Sequence, residues 1–484
     1  MDNTGYTPEE PIAAVATALA PAALGIIRVS GKNSIQLLSK IFSRPKALNE
    51  AAGNTIVYGW IVEPNVERSQ DQNTARVDEV LVSVFRAPKS FTGEEMAEIS
   101  CHGGTAVVTK IFNLLLQNGF RQAERGEFTF RAYINGKADL TKAEAVREII
   151  ESRTGASSQK AAGRLAGNLS QEIERVQKSL IDTLAQIEVE IEYPEDEETI
   201  ADAYDQTKLL EAIAALERLA HTWKSEKLYQ EGARLVLCGK TNAGKSSLFN
   251  CLLKEERAIV SDIEGTTRDW IESWVSLDGL PARLFDTAGL RQTSDEIEAR
   301  GVESAKELSD EADLLLYLAD ITLPKEQIDL DFLAERKEPV IFVWNKLDKL
   351  PQESSQDQKA AAISEAQKFY EAASKKIPAL AGQVFVSAKN GGGVKDLVAT
   401  AKALLLKGQE TERSQAGLGS ERQKRLVESA LESLRHAAGL QKGYSLDAAV
   451  QDIEDALDFL GELTGRVTAD DILDSVFSNF CVGK

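Results

Sequence analysis

The stretch GKTNAGKS, Gly239–Ser246, decides the fold of the middle of this chain. It has the spacing G-x-x-x-x-G-K-S, follows the apolar run RLVLC and opens the helical pattern SSLFNCLL. A glycine-rich loop between a strand and a helix presents backbone amides to phosphate at a helix N-terminus. Lys245 is expected to reach the β and γ phosphates, and the Ser246 hydroxyl to ligate Mg²⁺. The residues predicted to surround the phosphates are Asn242, Ala243, Gly244, Lys245, Ser246 and Ser247.

Three later motifs indicate that the bound nucleotide is GTP. DTAG, Asp286–Gly289, ends a strand with an acid that can hold Mg²⁺ through water. The aspartate of NKLD, Asn345–Asp348, can accept from both nitrogens of the guanine edge, and SAK, Ser387–Lys389, can contact the guanine carbonyl through its backbone. The predicted contacts in these motifs are Asp286, Thr287, Ala288, Gly289, Asn345, Lys346, Asp348, Ser387, Ala388 and Lys389.

The stretch SDIEGTTRD is predicted to be the switch loop, in which Thr267 completes the magnesium shell. Leu290 follows DTAG and cannot hydrogen-bond to water, so hydrolysis has to be completed in another way. Asn242 resembles the asparagine of GTPases that bind K⁺ beside the nucleotide, where the cation stabilises developing charge. The alternative is that Asn242 only tolerates an unusual backbone angle. The nucleotide-binding residues predicted in the switch loop are Ser261, Asp262, Ile263, Glu264, Gly265, Thr266 and Thr267.

Composition limits the class of protein. A chain of 484 residues predicts two to four domains, and its net charge of -20 argues against a polybasic DNA-binding protein. A local basic pocket for one RNA partner remains compatible with that charge. The sequence has no run of 18 apolar residues, and its four cysteines are scattered without zinc-type spacing. We therefore predict a cytoplasmic protein that binds neither membrane nor DNA.

The texture of the sequence changes along the chain. Up to about Gly136, β-branched runs such as LGIIRVSG mix with short helices; long amphipathic helices follow to residue 232. Apolar runs from residue 233, with a hairpin signal at Asp278-Gly279, then predict a parallel sheet covered by helices. Helical texture returns after residue 397. The simplest architecture is a helical domain interrupted by an inserted nucleotide-binding domain.

Stretches spread over the whole chain carry a family resemblance. They are GIIRVSG, SFTGEE, HGG, GEFTFRAYINGKADLTKAEAV, NAGKSS, GTTRD, DTAGLR and the closing CVGK. In these stretches the sequence resembles the tRNA modification GTPase MnmE (TrmE) family. The resemblance implies a multidomain fold: an α+β tetrahydrofolate-binding-like and dimerisation domain at 1–136, a discontinuous all-α domain at 137–232 and 398–484, and an inserted α/β P-loop G domain at 233–397.

The resemblance also implies an activity and its partners. A member of this family is expected to be a potassium-activated GTPase and a homodimer that works with an FAD-containing partner, MnmG (GidA). Together they add an aminomethyl or carboxymethylaminomethyl group at C5 of the wobble uridine of tRNA. The carbon donor is expected to be 5,10-methylene- or 5-formyl-tetrahydrofolate.

Individual roles follow from the same resemblance. It places Mg²⁺ on Ser246 and Thr267, and Glu298 where the attacking water is aligned; the alternative for Glu298 is a solvated helix carboxylate. Folate requires an acid for its pterin ring and bases for its glutamate tail. The implied K⁺ ligands are Asn242, Ser261, Ile263 and Thr266, and the implied folate-binding residues are Arg28, Glu98, Lys137 and Lys484.

Cys481 and His102 are the two remaining candidates. Cys481 stands fourth from the C-terminus, but CVGK is a poor prenylation signal because Gly483 is not aliphatic. A catalytic thiol and simple packing both remain open for Cys481. His102, beside two glycines, is interpreted as a turn residue.

Two other functions compete with this interpretation. A ribosome-assembly GTPase shares the G motifs and the potassium site, but it is expected to carry a basic RNA-binding domain after the G domain. Acidic helices occupy that place here. A folate-dependent aminomethyltransferase needs no nucleotide, and the complete set of GTP motifs argues against it.

Overall fold

The structure is a computed structural model. It describes residues 10–63, 76–192, 206–255, 271–286, 312–350, 356–407, 416–439, 446–466 and 470–484. The described chain divides into two compact units, one made of residues 1–147 with 441–484 and the other of residues 148–440.

The described strands are β1 (Ile12–Val15), β2 (Leu24–Ser30), β3 (Thr55–Val62), β4 (Arg76–Phe85), β5 (Met96–His102), β6 (Arg121–Gln122), β7 (Ala233–Cys238), β8 (Ile271–Leu277), β9 (Leu280–Asp286), β10 (Leu314–Asp320), β11 (Val340–Asn345) and β12 (Leu380–Phe385). The described α-helices are α1 (Ser34–Ser39), α2 (Pro45–Glu50), α3 (Thr105–Gln117), α4 (Glu127–Ile134), α5 (Leu140–Glu151), α6 (Gly155–Leu165), α7 (Asn168–Glu192), α8 (Thr207–Glu231), α9 (Lys245–Glu255), α10 (Leu330–Ala334), α11 (Gln356–Ser374), α12 (Val394–Leu406), α13 (Glu421–Gly439), α14 (Leu446–Thr464) and α15 (Asp470–Phe477).

The first unit contains a six-stranded sheet in the order β3-β4-β5-β2-β1-β6. Its pairings are antiparallel except for β1 with β6. Strand β4 alternates as a half-buried strand should: Val80, Val82 and Val84 are buried, while Leu81 is exposed on the other face. The buried face packs with α1 and α3 into one apolar core.

The second unit contains a sheet in the order β12-β11-β10-β7-β9-β8, parallel except for β8 with β9. Its central strands are continuous apolar runs because both faces are covered, and β11 is buried at every position. The predicted hairpin is confirmed: Asp278 and Gly279 have φ of 48° and 91° between β8 and β9.

Helices from before and after this sheet pack together in the second unit. Helix α13 packs against α8, and the amide of Leu418 donates to the Thr222 hydroxyl at 3.3 Å. Farther along, Arg435 donates to Glu217 at 2.7 Å. These contacts agree with a helical layer interrupted by the α/β insertion. Among the described helices, none has both the length and the apolar character needed to cross a bilayer.

Candidate functional site

The loop between β7 and α9 adopts a backbone that its glycines make possible. Gly239 and Gly244 have φ of 126° and 101°, where L side chains are strained. A Cβ on Gly244 would lie 2.2 Å from Nδ2 of Asn345. The loop therefore passes so close to the end of β11 that only glycine fits at residue 244.

Lys245 begins α9 and folds back over this loop. Its Nζ donates to the carbonyl oxygens of Gly239 and Lys240 at 2.8 and 2.9 Å, and the residue is only 9% exposed. The ammonium group is thus held at the mouth of the loop, beside the amides at the N-terminus of α9. An anion bound there meets a fixed positive charge and a helix N-terminus together.

Ser246 and Asp286 place two oxygen donors next to this positive charge. Asp286 is the last residue of β9, which lies beside β7 with Leu237 opposite Asp286. The Ser246 hydroxyl donates to Oδ2 of Asp286 at 2.9 Å. A hydroxyl and a carboxylate are hard oxygen ligands, so this pair fits Mg²⁺ chemically.

Asn345 joins three of the predicted motifs. Its Nδ2 donates to the carbonyl of Ala243 at 2.8 Å, and its Oδ1 accepts from the amides of Lys346 and Ala388 at 2.8 and 3.0 Å. The side-chain amide is buried and engaged at both ends. It connects the phosphate loop, NKLD and SAK into one rigid group.

The carboxylate expected to recognise guanine is held by a neighbouring hydroxyl. Oγ of Ser387 donates to Oδ1 of Asp348 at 2.6 Å, and the amide of Ser387 donates to the carbonyl of Gly392 at 2.8 Å. The sequence predicted only a backbone contact of Ser387 with the guanine carbonyl. In the structure its side chain also orients Asp348.

Asn242 has φ of 61°, in the left-handed region that asparagine tolerates better than most residues. The backbone interpretation of Asn242 is therefore sufficient to explain this residue, and its role toward K⁺ stays a prediction. Many other predicted residues lie outside the described part of the chain: Ser261, Asp262, Ile263, Glu264, Gly265, Thr266, Thr267, Thr287, Ala288, Gly289 and Glu298.

Three of the four predicted folate residues meet in the first unit. Arg28 on β2 lies opposite Glu98 on β5, with Nε and Oε1 3.0 Å apart. The guanidinium lies over the rings of Phe91 and Phe128, 5.1 and 5.4 Å from their centroids. Burial lowers the pKa of Arg28, and the charge of Glu98 opposes this shift. An acid and a base with aromatic walls suit a flat, polar ring such as a pterin.

The C-terminal tail reaches the same place. Nη1 of Arg28 donates to the carbonyl of Gly483 at 3.2 Å, and the amide of Phe128 donates to the carbonyl of Lys484 at 3.2 Å. Gly483 has φ of 93°, and a Cβ there would lie 2.9 Å from the carbonyl oxygen of Val15. Burial, followed by the charge of Arg28, lowers the pKa of Lys484. Cys481 carries a free, exposed thiol three residues away.

Lys137 relates to this pocket through a loop. Its Nζ donates to the carbonyl of Pro88 at 2.9 Å, and the same loop carries Phe91 under Arg28. Lys137 thus anchors a wall of the pocket.

Three charged residues that were not among the predicted site residues form a buried network. Arg131 on α4 is fully buried and pairs with Glu94 at 3.0 Å and with Glu127 at 2.8 Å. Glu94 also accepts from the Ser30 hydroxyl at 2.8 Å. Glu127 and Arg131 are four residues apart on a helix, and this spacing could have predicted the Glu127–Arg131 ion pair from the sequence.

The interpretation of His102 as a turn residue was wrong. His102 is the last residue of β5, and Asp78 holds it: Nδ1 lies 2.7 Å from Oδ1, and its amide donates to Oδ2 at 2.8 Å. The strand continues through His102 because Leu24 on β2 pairs with it.

The phosphate loop, the hydroxyl–carboxylate pair and the guanine-type motifs lie at successive strand ends of a mostly parallel sheet. They define this part of the chain as the G domain of a P-loop GTPase. Two family models match the chain: "GTP-binding protein TrmE N-terminus" over residues 11–137 and "MnmE helical domain" over residues 140–481.

Curated relatives match over nearly the whole length. The tRNA modification GTPase MnmE of Treponema denticola is 51% identical, with 99% of each chain covered. Those of Treponema pallidum and Carboxydothermus hydrogenoformans are 41% and 38% identical, covering 99% and 98% of this chain and 99% and 100% of their own. The chain belongs to the tRNA modification GTPase MnmE family.

Among solved structures, Era in complex with MgGDPNP and a 16S ribosomal RNA segment is 26% identical over 44% of this chain and 69% of its own. The TM-score of this match is 0.28, which is too low to support a conclusion about this chain.

Proposed function

We propose that this chain hydrolyses GTP to drive modification of the wobble uridine of tRNA, together with an FAD-containing MnmG (GidA) partner. The product is an aminomethyl or carboxymethylaminomethyl group at C5, with its carbon taken from 5,10-methylene- or 5-formyl-tetrahydrofolate. One observation carries the proposal. It is that one chain of this family holds two sites. Lys245 is fixed over the phosphate loop, and Ser246 beside it is hydrogen-bonded to Asp286. The acid–base pair Arg28–Glu98 has the chemistry that a folate needs.

In the nucleotide site, Lys245 neutralises phosphate charge, and the amides of Asn242, Ala243, Gly244, Lys245, Ser246 and Ser247 surround the phosphates. Ser246 and Thr267 would hold Mg²⁺, with Asp286 acting through water, and the ion would supply charge stabilisation at the phosphates. Asp348 accepts from the guanine edge, and Ser387 keeps its carboxylate in place. The support for these roles is the described geometry of Lys245, Ser246, Asp286 and Asp348.

Potassium activation completes the proposed hydrolysis. The proposed K⁺ ligands are Asn242, Ser261, Ile263 and Thr266, and Glu298 aligns the attacking water. Only Asn242 lies within the described residues, where its amide oxygen is a suitable donor type for a large monovalent cation. The family resemblance supplies the rest.

In the folate site, Glu98 accepts from the pterin, while Arg28, Lys137 and Lys484 supply positive charge to the carboxylates of the ligand. Cys481, three residues before Lys484, takes part in the chemistry of this site or serves only packing of the tail. We propose that the protein works as a homodimer in the cytoplasm, where the four cysteines stay free thiols. The domain boundaries proposed are those of the sequence: 1–136, 137–232, 233–397 and 398–484.

The deciding experiment is nucleoside mass spectrometry of bulk tRNA from a bacterium that lacks its own family member. The strain is complemented with wild type, with Lys245→Ala, or with Lys254→Ala, an exposed lysine on the same helix as a matched control. Wild type and Lys254→Ala should restore the C5-modified uridine, and Lys245→Ala should not. An unchanged nucleoside profile in the deletion strain would contradict the proposed substrate.

The potassium component needs its own assay. The purified full-length chain should hydrolyse GTP faster in KCl than in NaCl at equal ionic strength. Equal rates in the two salts would remove K⁺ from the proposal without affecting the substrate.

A further inference from the structure

The loop between β4 and β5 carries Phe91 and Thr92, two neighbours in very different surroundings. The ring of Phe91 is 38% exposed, and its centroid lies 5.1 Å from the guanidinium carbon of Arg28. The side chain of Thr92 is fully buried, which keeps it from touching a ligand. Any influence of Thr92 on the Arg28 pocket therefore has to pass through the residues that it holds.

The hydroxyl of Thr92 joins a chain of hydrogen bonds that ends on a buried ion pair. Oγ1 of Thr92 lies 2.7 Å from Oγ of Ser30, and the Ser30 hydroxyl donates to Oε2 of Glu94 at 2.8 Å. Because a hydroxyl has one proton and Ser30 gives its own to Glu94, Thr92 is the donor to Ser30. Glu94 is in turn paired with Arg131 at 3.0 Å. The charge of Glu94 thus fixes the direction of the whole chain.

The backbone around Thr92 is held as well. Nδ2 of Asn135, at the end of α4, donates to the carbonyl of Thr92 at 2.7 Å. The amide of Glu94 donates to Oγ1 of Thr92 at 3.3 Å, and the Ser90 hydroxyl donates to the carbonyl of Glu94 at 2.6 Å. These bonds fix the loop directly before and after Phe91, so its ring has little freedom to move away from Arg28.

Strand β2 holds both partners of the contact between Arg28 and Phe91. Arg28 and Ser30 are two residues apart on this strand, so they lie on the same face of the sheet. Arg28 meets the ring of Phe91 directly, and Ser30 holds the residue next to that ring. The distance between guanidinium and ring, on which their attraction depends, is consequently set by the spacing of two residues on one strand.

We propose that Thr92 is a positioning residue for the folate site, and that its hydroxyl fixes Phe91 where the ring supports Arg28 and stays open to the flat ring of the ligand. This inference rests on the proposed folate site. If the loop moves, Arg28 loses the ring beside it, and its guanidinium is no longer held in line with Glu98. Thr92 should therefore change folate affinity without touching the folate.

The test measures the dissociation constant of 5-formyl-tetrahydrofolate for the full-length chain by isothermal titration calorimetry. Thr92→Val removes the hydroxyl with little change of shape, and affinity should fall about fivefold for one lost hydrogen bond. Thr92→Ser keeps the hydroxyl and should restore the wild-type constant. Thr109→Val is the matched control, because Thr109 is an exposed threonine on α3 of the same unit. GDP affinity should stay the same in all three variants, because the nucleotide site lies in the other unit.

A double-mutant cycle tests whether Thr92 acts through Phe91. Phe91→Leu removes the ring but keeps an apolar side chain, and it should itself weaken folate binding. Adding Thr92→Val to Phe91→Leu should cause no further loss of affinity, because the ring that Thr92 positions is gone. A general loss of stability would instead lower the unfolding temperature and leave the two effects on affinity additive.

The outcomes separate this inference from the proposed function. Wild-type folate affinity in Thr92→Val, no recovery in Thr92→Ser, or additive effects in the cycle would overturn the role of Thr92 alone. A wild-type chain that binds no folate would overturn the proposed folate site together with this inference. If Thr92→Val does not fold, as its thermal unfolding curve will show, Asn135→Ala carries the test, because it removes the donor to the Thr92 carbonyl. Wild-type folate affinity in that variant overturns the proposal.

Discussion

The nucleotide site is made of one loop and the ends of neighbouring strands between residues 239 and 389, whereas the pocket around Arg28 is made of side chains from both ends of the chain. In the first, one loop and three strand ends supply the contacts, and glycine at residue 244 is required by a neighbour. In the second, Arg28, Glu98 and Lys484 come together although 386 residues separate the last two (484 minus 98). Ligand affinity at the nucleotide site should therefore depend on the close approach of its loop, and ligand affinity at the Arg28 site on the balance of its charges.

The largest expected effect falls on the buried charge network around Arg131. Arg131→Met removes the fully buried partner of Glu94 and Glu127, although Glu127 keeps Arg121 at 2.7 Å, so the first unit should lose roughly 3–5 kcal/mol of unfolding free energy. The urea unfolding transition of the first unit, which holds one of the five tryptophans, Trp60, should shift to lower urea when it is followed by tryptophan fluorescence. GDP affinity should stay the same, because the nucleotide site lies in the other unit.

Arg175→Met is the control for this variant. Arg175 pairs with Glu172 on the surface of α7, where an ion pair contributes about 0–1 kcal/mol. If Arg131→Met and Arg175→Met shift the transition equally, the buried charge network contributes no more to stability than a surface ion pair.

The second effect concerns the phosphate loop of the nucleotide site. Gly244→Ala adds a Cβ at 2.2 Å from Asn345 at a φ of 101°, so the loop has to move and GDP affinity should fall about a hundredfold. The dissociation constant from calorimetry measures this loss. Gly155→Ala is the matched control, because a Cβ there meets no atom within 4 Å; a Gly244→Ala variant that binds GDP as tightly as this control would show that the close approach is unimportant.

A smaller effect is expected from the ligand side of the Arg28 pocket. Glu98→Gln removes the negative charge that pairs with Arg28, and affinity for 5-formyl-tetrahydrofolate should fall about tenfold. Glu79→Gln, an exposed acid of the neighbouring strand, serves as the control in the same titration. Unchanged affinity in Glu98→Gln would remove the carboxylate from the proposed pterin contacts, with GTP hydrolysis unaffected in either case.

The smallest effect concerns pH. A hydrogen bond to Asp78, with the charge of that residue, raises the pKa of exposed His102. The folded state therefore favours the protonated ring. This stabilisation is complete below the unfolded pKa of about 6.5 and is lost as the pH rises through the raised folded value. His102→Gln should lower the unfolding temperature slightly at pH 6 and not at pH 9.

Proton NMR gives a direct measurement, since the chain has three histidines. In Asp78→Asn the pKa of His102 should return toward its usual value. A pKa of His102 that is the same in wild type and Asp78→Asn would contradict the assigned cause.

Local patterns predicted much of the fold. The β-branched run LGIIRVSG and the turn residues Asp278-Gly279 act over a few residues, and the strands and the hairpin formed as expected. His102 was misread because neighbouring glycines suggested a turn, while pairing with Leu24 on another strand kept the residue extended. Pairing of that kind depends on a partner far away in the sequence.

Sequence alone determined the phosphate loop, because its glycine spacing acts on the backbone of adjacent residues and needs no distant partner. It also indicated which residues could serve a folate, through resemblance. Only the tertiary structure decided that Arg28 meets Glu98 across two paired strands, and that Gly483 beside Val15 brings the tail to Arg28. Ion pairs form between whichever charges the strand register brings within reach, and register is a property of the folded sheet.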